Sequence, residues 1–144
     1  MEPIEMPTTL DQAGDGFIDY LRESNVSGID MTILRQTSAY VYIASPYSHP
    51  EALIREERYL RASFYLMQKL KRREWAYSPI VHCHELAKIW GMPGDAKFWE
   101  EYDFAMIRGA RAIEVLRLDG WQESVGVKAE IEYATSIGVP ITYV

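Results

Sequence analysis

Cysteine is nearly absent from this 144-residue chain: Cys83 stands alone, so no internal disulfide can form and no cysteine-based zinc cluster is available. A reducing, cytoplasmic setting is the expectation. Histidine is almost as scarce, with three residues in all. A catalytic zinc wants a third protein ligand, and beyond His82 and His84 the sequence nominates none. Basic residues do not dominate either: 15 Lys and Arg stand against 21 Asp and Glu, a formal net charge of -6. That balance argues against attraction to a nucleic-acid polymer or an anionic membrane surface, while leaving room for a local pocket that binds one phosphate. No apolar run approaches the roughly 20 residues that cross a bilayer. The opening MEPIEMPTTLDQ places acids and prolines where a secretory signal needs a basic start and an apolar stretch. Internal repeats and low-complexity tracts are absent too.

What is present suffices for one compact domain, since 48% of the residues are hydrophobic. Residues 1–36, interrupted by Pro3, Pro7, Gly14, Gly16 and Gly28, read as an N-terminal extension with one short helix at Phe17 to Arg22. From there the pattern changes, and residues 37–144 read as an α/β domain. AYVYIA is a buried strand ending in the turn SPYSHP. Pro50 then fits the first turn of a long helix, with Leu60, Phe64, Met67 and Leu70 as its core face and KLKRRE, Lys69 to Glu74, as a solvated end. WAYSPIV, Trp75 to Val81, reads as the second strand, and HCHELAKIW as a short helix or loop. FWEEYDFAMIRGA reads as a helix, AIEVLRL as a strand, Ser124 to Ile137 as the last helix, stopped by Gly138, and VPITYV as the final strand. Strands alternating with helices predict a small doubly wound, Rossmann-like parallel sheet with helices on both faces. In such sheets ligands sit beyond the C-terminal strand ends, here the turns SPYSHP, SPIVHCH and LDGWQES.

On the last helix Val127, Ile131 and Ala134 define the face that packs on the sheet. At about 100° per residue Glu130 lies near that buried face and Glu132 points away from it. Ser124 is a natural N-cap, the N–H groups behind it form an anion site, and Gly126 allows close backbone approach. An ordinary capped helix with an incidental glutamate satisfies the same pattern. Asp103 shares a face with Trp99, Met106 and Ile107. Burial or a neighbouring like charge would raise its pKa as a general acid requires, while pairing with an arginine such as Arg108 would make it structural. His82 and His84 project together if the second strand continues through them, toward a metal or a substrate base. Trp121 reads as a stacking platform, a lid or a packing anchor, and Tyr42 and Tyr47 share that ambiguity.

VYIASPYSHP at the end of the first strand, the helix carrying Asp103, and SVGVKAEIEYA together resemble the nucleoside 2-deoxyribosyltransferase-like superfamily over about Tyr40 to Val144. Two of its branches are similar: the deoxynucleoside 5'-monophosphate N-glycosidases, and an uncharacterised bacterial and phage family with ASPYSHP and GWxxSxGvxxE signatures. The resemblance implies an open parallel sheet, with Glu130 as the nucleophile at C1' of the sugar and Asp103 as general acid toward the base. It further implies that Tyr42 orients the nucleophile and that Ser124 and Gly126 bind a 5'-phosphate. The first loop lacks the glycine-rich turn of the glycosidases, so Ser45, Tyr47 and Ser48 would replace backbone contacts there. Relatives carry a C-terminal segment that reaches a neighbouring subunit's site and has no counterpart after Val144; they are also homo-oligomers, which implies a homodimer or larger assembly.

The expected activity is cleavage or transfer of the N-glycosidic bond of a (deoxy)nucleoside or its 5'-monophosphate. Glu130 and Asp103 would be catalytic and oriented by Tyr42, with Ser45, Tyr47, Ser48, His82, His84, Trp121, Ser124 and Gly126 touching the substrate. No metal or other cofactor is implied. The alternatives are a non-catalytic nucleotide-sensing module and a metal-assisted hydrolase built on His82 and His84.

Overall fold

The computed structural model describes residues 40–144. The expected extension, with its helix at Phe17 to Arg22, lies outside the described residues. Four parallel strands, β1 (Val41–Ala44), β2 (Ala76–Tyr77), β3 (Ala112–Val115) and β4 (Ile141–Tyr143), form one sheet in the order β2-β1-β3-β4. The connections carry α1 (Ala52–Lys71), α2 (Pro79–Trp90), α3 (Ala96–Arg108) and α4 (Val125–Ser136). This is the small doubly wound α/β architecture that the alternation predicts. Among the described residues no helix is long and apolar enough to cross a membrane.

The chain leaves β1 toward β2 on one side and returns to β3 on the other, so the connections after β1 and β3 diverge and open a crevice at the strand ends. Strand alternation then decides which side chains face it. Tyr42 and Ala44 of β1 and Ile113 and Val115 of β3 form one core cluster with Ile107 of α3 and Val127 and Ala134 of α4. Glu114, between Ile113 and Val115, points to the opposite face, where Tyr65 and Lys69 of α1 meet it. Tyr42 is completely buried on the α3/α4 face, and that placement aims its hydroxyl at α4.

Four expectations are corrected. Leu60, Phe64 and Leu70 of α1 are exposed, at 57%, 58% and 42%, and the face turned to the sheet carries Ala62 and Lys69. The two faces lie about half a turn apart at 100° per residue, and each holds enough apolar surface to mimic a core stripe. The inner one is selected because Glu114 on β3 needs a cation opposite it and Ala62 lets the helix approach. Lys69 is accordingly no solvated helix end: it is 5% exposed, with its Nζ 2.8 Å from Glu114 and 3.0 Å from Glu74. Finally, β2 stops at Tyr77. Ser78 accepts from the Val81 N–H at 3.2 Å and Pro79 occupies the first turn, so the chain turns helical where the strand was expected to continue. The α1 helix itself begins at Ala52, one residue after its Glu51 cap, leaving Pro50 just outside.

One arginine joins the loops that follow β1 and β3. Arg58 of α1 donates to the carbonyl oxygens of Ser48 at 2.9 Å and Asp119 at 3.1 Å, tying the loop after β1 to the loop after β3. Gly120 makes room for it: its φ is 85°, and a β-carbon there would stand 2.6 Å from the Arg58 guanidinium.

Candidate active site

A cavity of about 210 Å3 lies at the strand ends, lined among others by Ser45, Cys83, His84, Trp99, Asp103, Ser124, Gly126 and Glu130. Three helices begin at its wall. Ser78, Asp95 and Ser124 cap α2, α3 and α4, each accepting from an N–H in its own first turn, so the positive ends of three helix dipoles converge there. Gly126 lets two of these ends close up, since a β-carbon there would be 3.3 Å from the Ala96 methyl. The stacked rings of Phe104 and Tyr133, 4.1 Å apart, clamp the same pair of helices lower down.

Within this cage Glu130 is 7% exposed. The Tyr42 hydroxyl donates to its Oε1 at 2.8 Å, and its Oε2 is buried without a hydrogen-bond partner. Asp103 presents a second buried, unpartnered carboxyl oxygen, Oδ1, to the same cavity. Its expected structural partner is engaged elsewhere: Arg108 donates to the Tyr133 hydroxyl at 2.9 Å. Burial pushes Asp103 up to about 7. Burial first, and then the charge of Asp103, pushes Glu130 up to about 8 against the opposing pull of the Tyr42 hydrogen bond. Two carboxyl groups buried at one cavity resist ionising together and hold a proton near neutral pH. A hollow of about 240 Å3 between α3 and α4 is lined by the same two residues.

Ser45, directly after β1, is 5% exposed, and its Oγ is buried without a partner at the cavity wall. Tyr47 and Ser48 line both this cavity and an adjoining open chamber of about 720 Å3. The Ser48 hydroxyl donates to the Gly94 carbonyl at 3.2 Å, bridging the first loop to the α2–α3 connection.

The histidines are not brought together. On a helix, residues two apart point in nearly opposite directions. His82 stacks on Tyr102, with rings 5.8 Å apart and 3° from parallel, outside the cavity wall. His84 is 4% exposed and belongs to the wall. Trp121 is not on the wall either. It packs against Tyr143, 5.7 Å between rings, at the edge of the core, which makes it the packing anchor.

The cavity also holds groups that sequence reasoning did not single out as its wall. Cys83 is one, and burial pushes its thiol up to about 12, so it stays protonated and is no nucleophile. Asp95 is another, and the GDAKF pattern, an acid before a helical run, was the available signal. Glu56, which lines the open chamber and meets His84 from there, left no signal: it sits 28 residues away on another helix. One donor atom each from Glu56, His84 and Glu85 lies within 4.8 Å of the others, a spacing that suits a cation. Lys88 already opposes the Glu56 charge from 3.6 Å, and a His84 Nε2 that donates to Glu56 has no lone pair to offer.

Among curated proteins none matches this chain. A family profile described as a domain of unknown function (DUF1937) matches residues 39–144, the whole of the α/β domain, and the chain belongs to that family.

Proposed function

We propose that the protein cleaves the N-glycosidic bond of a nucleoside or its 5'-monophosphate, as a member of the nucleoside 2-deoxyribosyltransferase-like superfamily. The observation that carries this reading is the state of Glu130: buried, held through one oxygen by Tyr42, with the other oxygen unpartnered in a cavity shared with Asp103. A buried carboxylate oxygen left without a donor costs free energy, and a site that binds an electron-poor carbon recovers it on binding.

In the proposed reaction Glu130 Oε2 forms a bond to C1' as the C1'–N bond breaks. The bonding pair leaves with the base, which takes the proton that burial holds on Asp103. Water or a second base, losing a proton to the Asp103 carboxylate, then attacks C1' and releases Glu130 as its C1'–O bond breaks, giving hydrolysis or transfer. In the free protein burial raises both carboxyl groups, so the pair holds protons near neutral pH, whereas attack needs Glu130 ionised and Asp103 protonated. Positive charge developing at C1' beside Glu130 favours its ionised form and leaves the proton on Asp103. The first turn of α4, capped by Ser124, supplies N–H groups and a dipole for a 5'-phosphate, and Ser45 offers a buried hydroxyl.

The raised Glu130 carboxyl supports a second reading. A protonated Glu130 is a hydrogen-bond donor, and the cavity then serves a nucleotide-binding module that does not turn its ligand over. Incubating the full chain with ribo- and deoxynucleosides and their 5'-monophosphates, with chromatography for free base, separates the two. Free base from the wild type and none from Glu130→Gln supports the glycosidase. Calorimetric binding of a panel member without release of base from the wild type overturns it in favour of the module.

A further inference from the structure

The wall between the cavity and the open chamber carries a chain of polar groups that the proposed reaction leaves unused. His84 Nε2 lies 2.9 Å from Glu56 Oε2, and His84 Nδ1 lies 2.7 Å from the Tyr47 hydroxyl. The imidazole is fixed on its faces as well: Tyr59 stacks on it at 4.1 Å and 15°, and Tyr47 meets it edge-on at 5.6 Å. Tyr47 lines both spaces, and its hydroxyl is bonded to His84, which lines both as well.

Counting protons assigns the direction of each bond. An ionised carboxylate only accepts, so the Glu56 contact requires the proton on Nε2. In a neutral imidazole Nδ1 then has only a lone pair, and a 2.7 Å approach by a phenol is a hydrogen bond only if the phenol donates. Tyr47 keeps that proton, because burial holds its hydroxyl above the ordinary phenol range. A phenol has one proton, and here it is spent on the imidazole. What remains for a ligand is a pair of lone pairs on Oη.

We propose that Glu56 and His84 are positioning residues that fix Tyr47 as a hydrogen-bond acceptor at the cavity wall, so that the site selects a ligand presenting a donor there. The reverse polarity, Tyr47 as donor, requires protons on both imidazole nitrogens. The charged groups gathered around the ring are Glu56 of α1 and Glu85 and Lys88 of α2. The inference rests on the nucleoside reading of this cavity for the class of donor: a sugar hydroxyl or an N–H of the base, not a fully ionised phosphate oxygen, which would face Tyr47 acceptor to acceptor. A phosphate therefore belongs at the α4 end of the cavity and the donor-bearing part of the ligand at the Tyr47 end.

The relay is tested without any ligand by nitrogen NMR of histidine-labelled full-length protein at pH 8, above the ordinary imidazole range. The expected spectrum places the His84 proton on Nε2 with Nδ1 as a hydrogen-bonded acceptor. Tyr47→Phe should move Nδ1 to the free-acceptor position, and Glu56→Ala should release the tautomer. A proton on Nδ1 in the wild type overturns the proposal. The selection is tested by calorimetry in the Glu130→Gln background with deoxyadenosine 5'-monophosphate and analogues lacking the 3'-hydroxyl or the 6-amino group. Loss of the donor that meets Tyr47 should weaken binding about tenfold or more, and Tyr47→Phe should bind that pair alike. Discrimination that survives Tyr47→Phe, or that is absent from the parent for both analogues, overturns the selection. Failure of every probe to bind, with the Nε2 tautomer present, counts against the nucleoside reading and leaves the relay supported.

Discussion

Two glutamates enter the interior of this protein from opposite faces of the sheet, and they are treated differently. Glu114, on β3, has both oxygens occupied, Oε1 by Lys69 at 2.8 Å and Oε2 by Tyr65 at 2.8 Å. Glu130, on α4, has one oxygen occupied by Tyr42 at 2.8 Å and the other left bare toward a cavity. Both are expensive to bury, and only the first is compensated by a cation. Structural carboxylates have their partners built in. A carboxyl group whose bare oxygen coincides with a cavity is the kind the proposed function calls for, and this contrast separates the two without reference to any family.

The sharpest way to test the contrast is to neutralise each glutamate. Glu130→Gln should lower turnover by at least about 10^3-fold while leaving the urea midpoint at pH 8 unchanged or higher, because it removes a buried charge without a cation beside it. Glu114→Gln should do the opposite. It leaves Lys69 buried with only Glu74 to face it and costs about 3 kcal/mol in denaturant unfolding, with turnover per folded molecule intact. If both variants lose stability equally, the distinction fails.

Acidity gives a third contrast. In the folded protein Glu130 is raised from 4.5 to about 8 and Asp103 from 3.8 to about 7. Between those limits the native state holds protons that the unfolded chain has released, so stability falls as pH rises. Urea unfolding followed from pH 5 to pH 8 should show this decline, with a slope near ~1.4 kcal/mol per pH unit for each proton held. Glu130→Gln combined with Asp103→Asn should flatten it, and Glu114→Gln should not. The smallest effects belong to the two tyrosines. Tyr65→Phe should cost about 1 kcal/mol of stability and leave catalysis alone, whereas Tyr42→Phe should cost a similar amount and also slow turnover about tenfold.

Much of the site was legible in the sequence because it is written locally. The helical period put Glu130 toward the core and Glu132 toward solvent, where they are found. Ser124 was readable as a cap from its place before an apolar-periodic run, and Asp103 as a carboxyl held among apolar neighbours. Ser78-Pro79 was equally readable as a helix start, but the β-like residues around it outweighed it; His82 and His84 would share a face only on a strand continued through them, and the helix separates them. The inner face of α1 was not legible, because two of its faces are similarly apolar and the choice between them depends on Glu114, a residue of another strand.

By itself the sequence determined the strand and helix alternation, the parallel sheet and the two carboxyl groups worth watching, since periodicity, caps and turn residues act over a few positions along the chain. The tertiary structure alone decided which groups meet. Tyr42 reaches Glu130 across 88 residues, and Glu56 reaches His84 across 28. Both depend on the strand order and on which side of the sheet each helix covers. Partnership, and with it the difference between a compensated glutamate and an uncompensated one, arises from that packing, because hydrogen bonds form between atoms that are near in space whatever their separation along the chain.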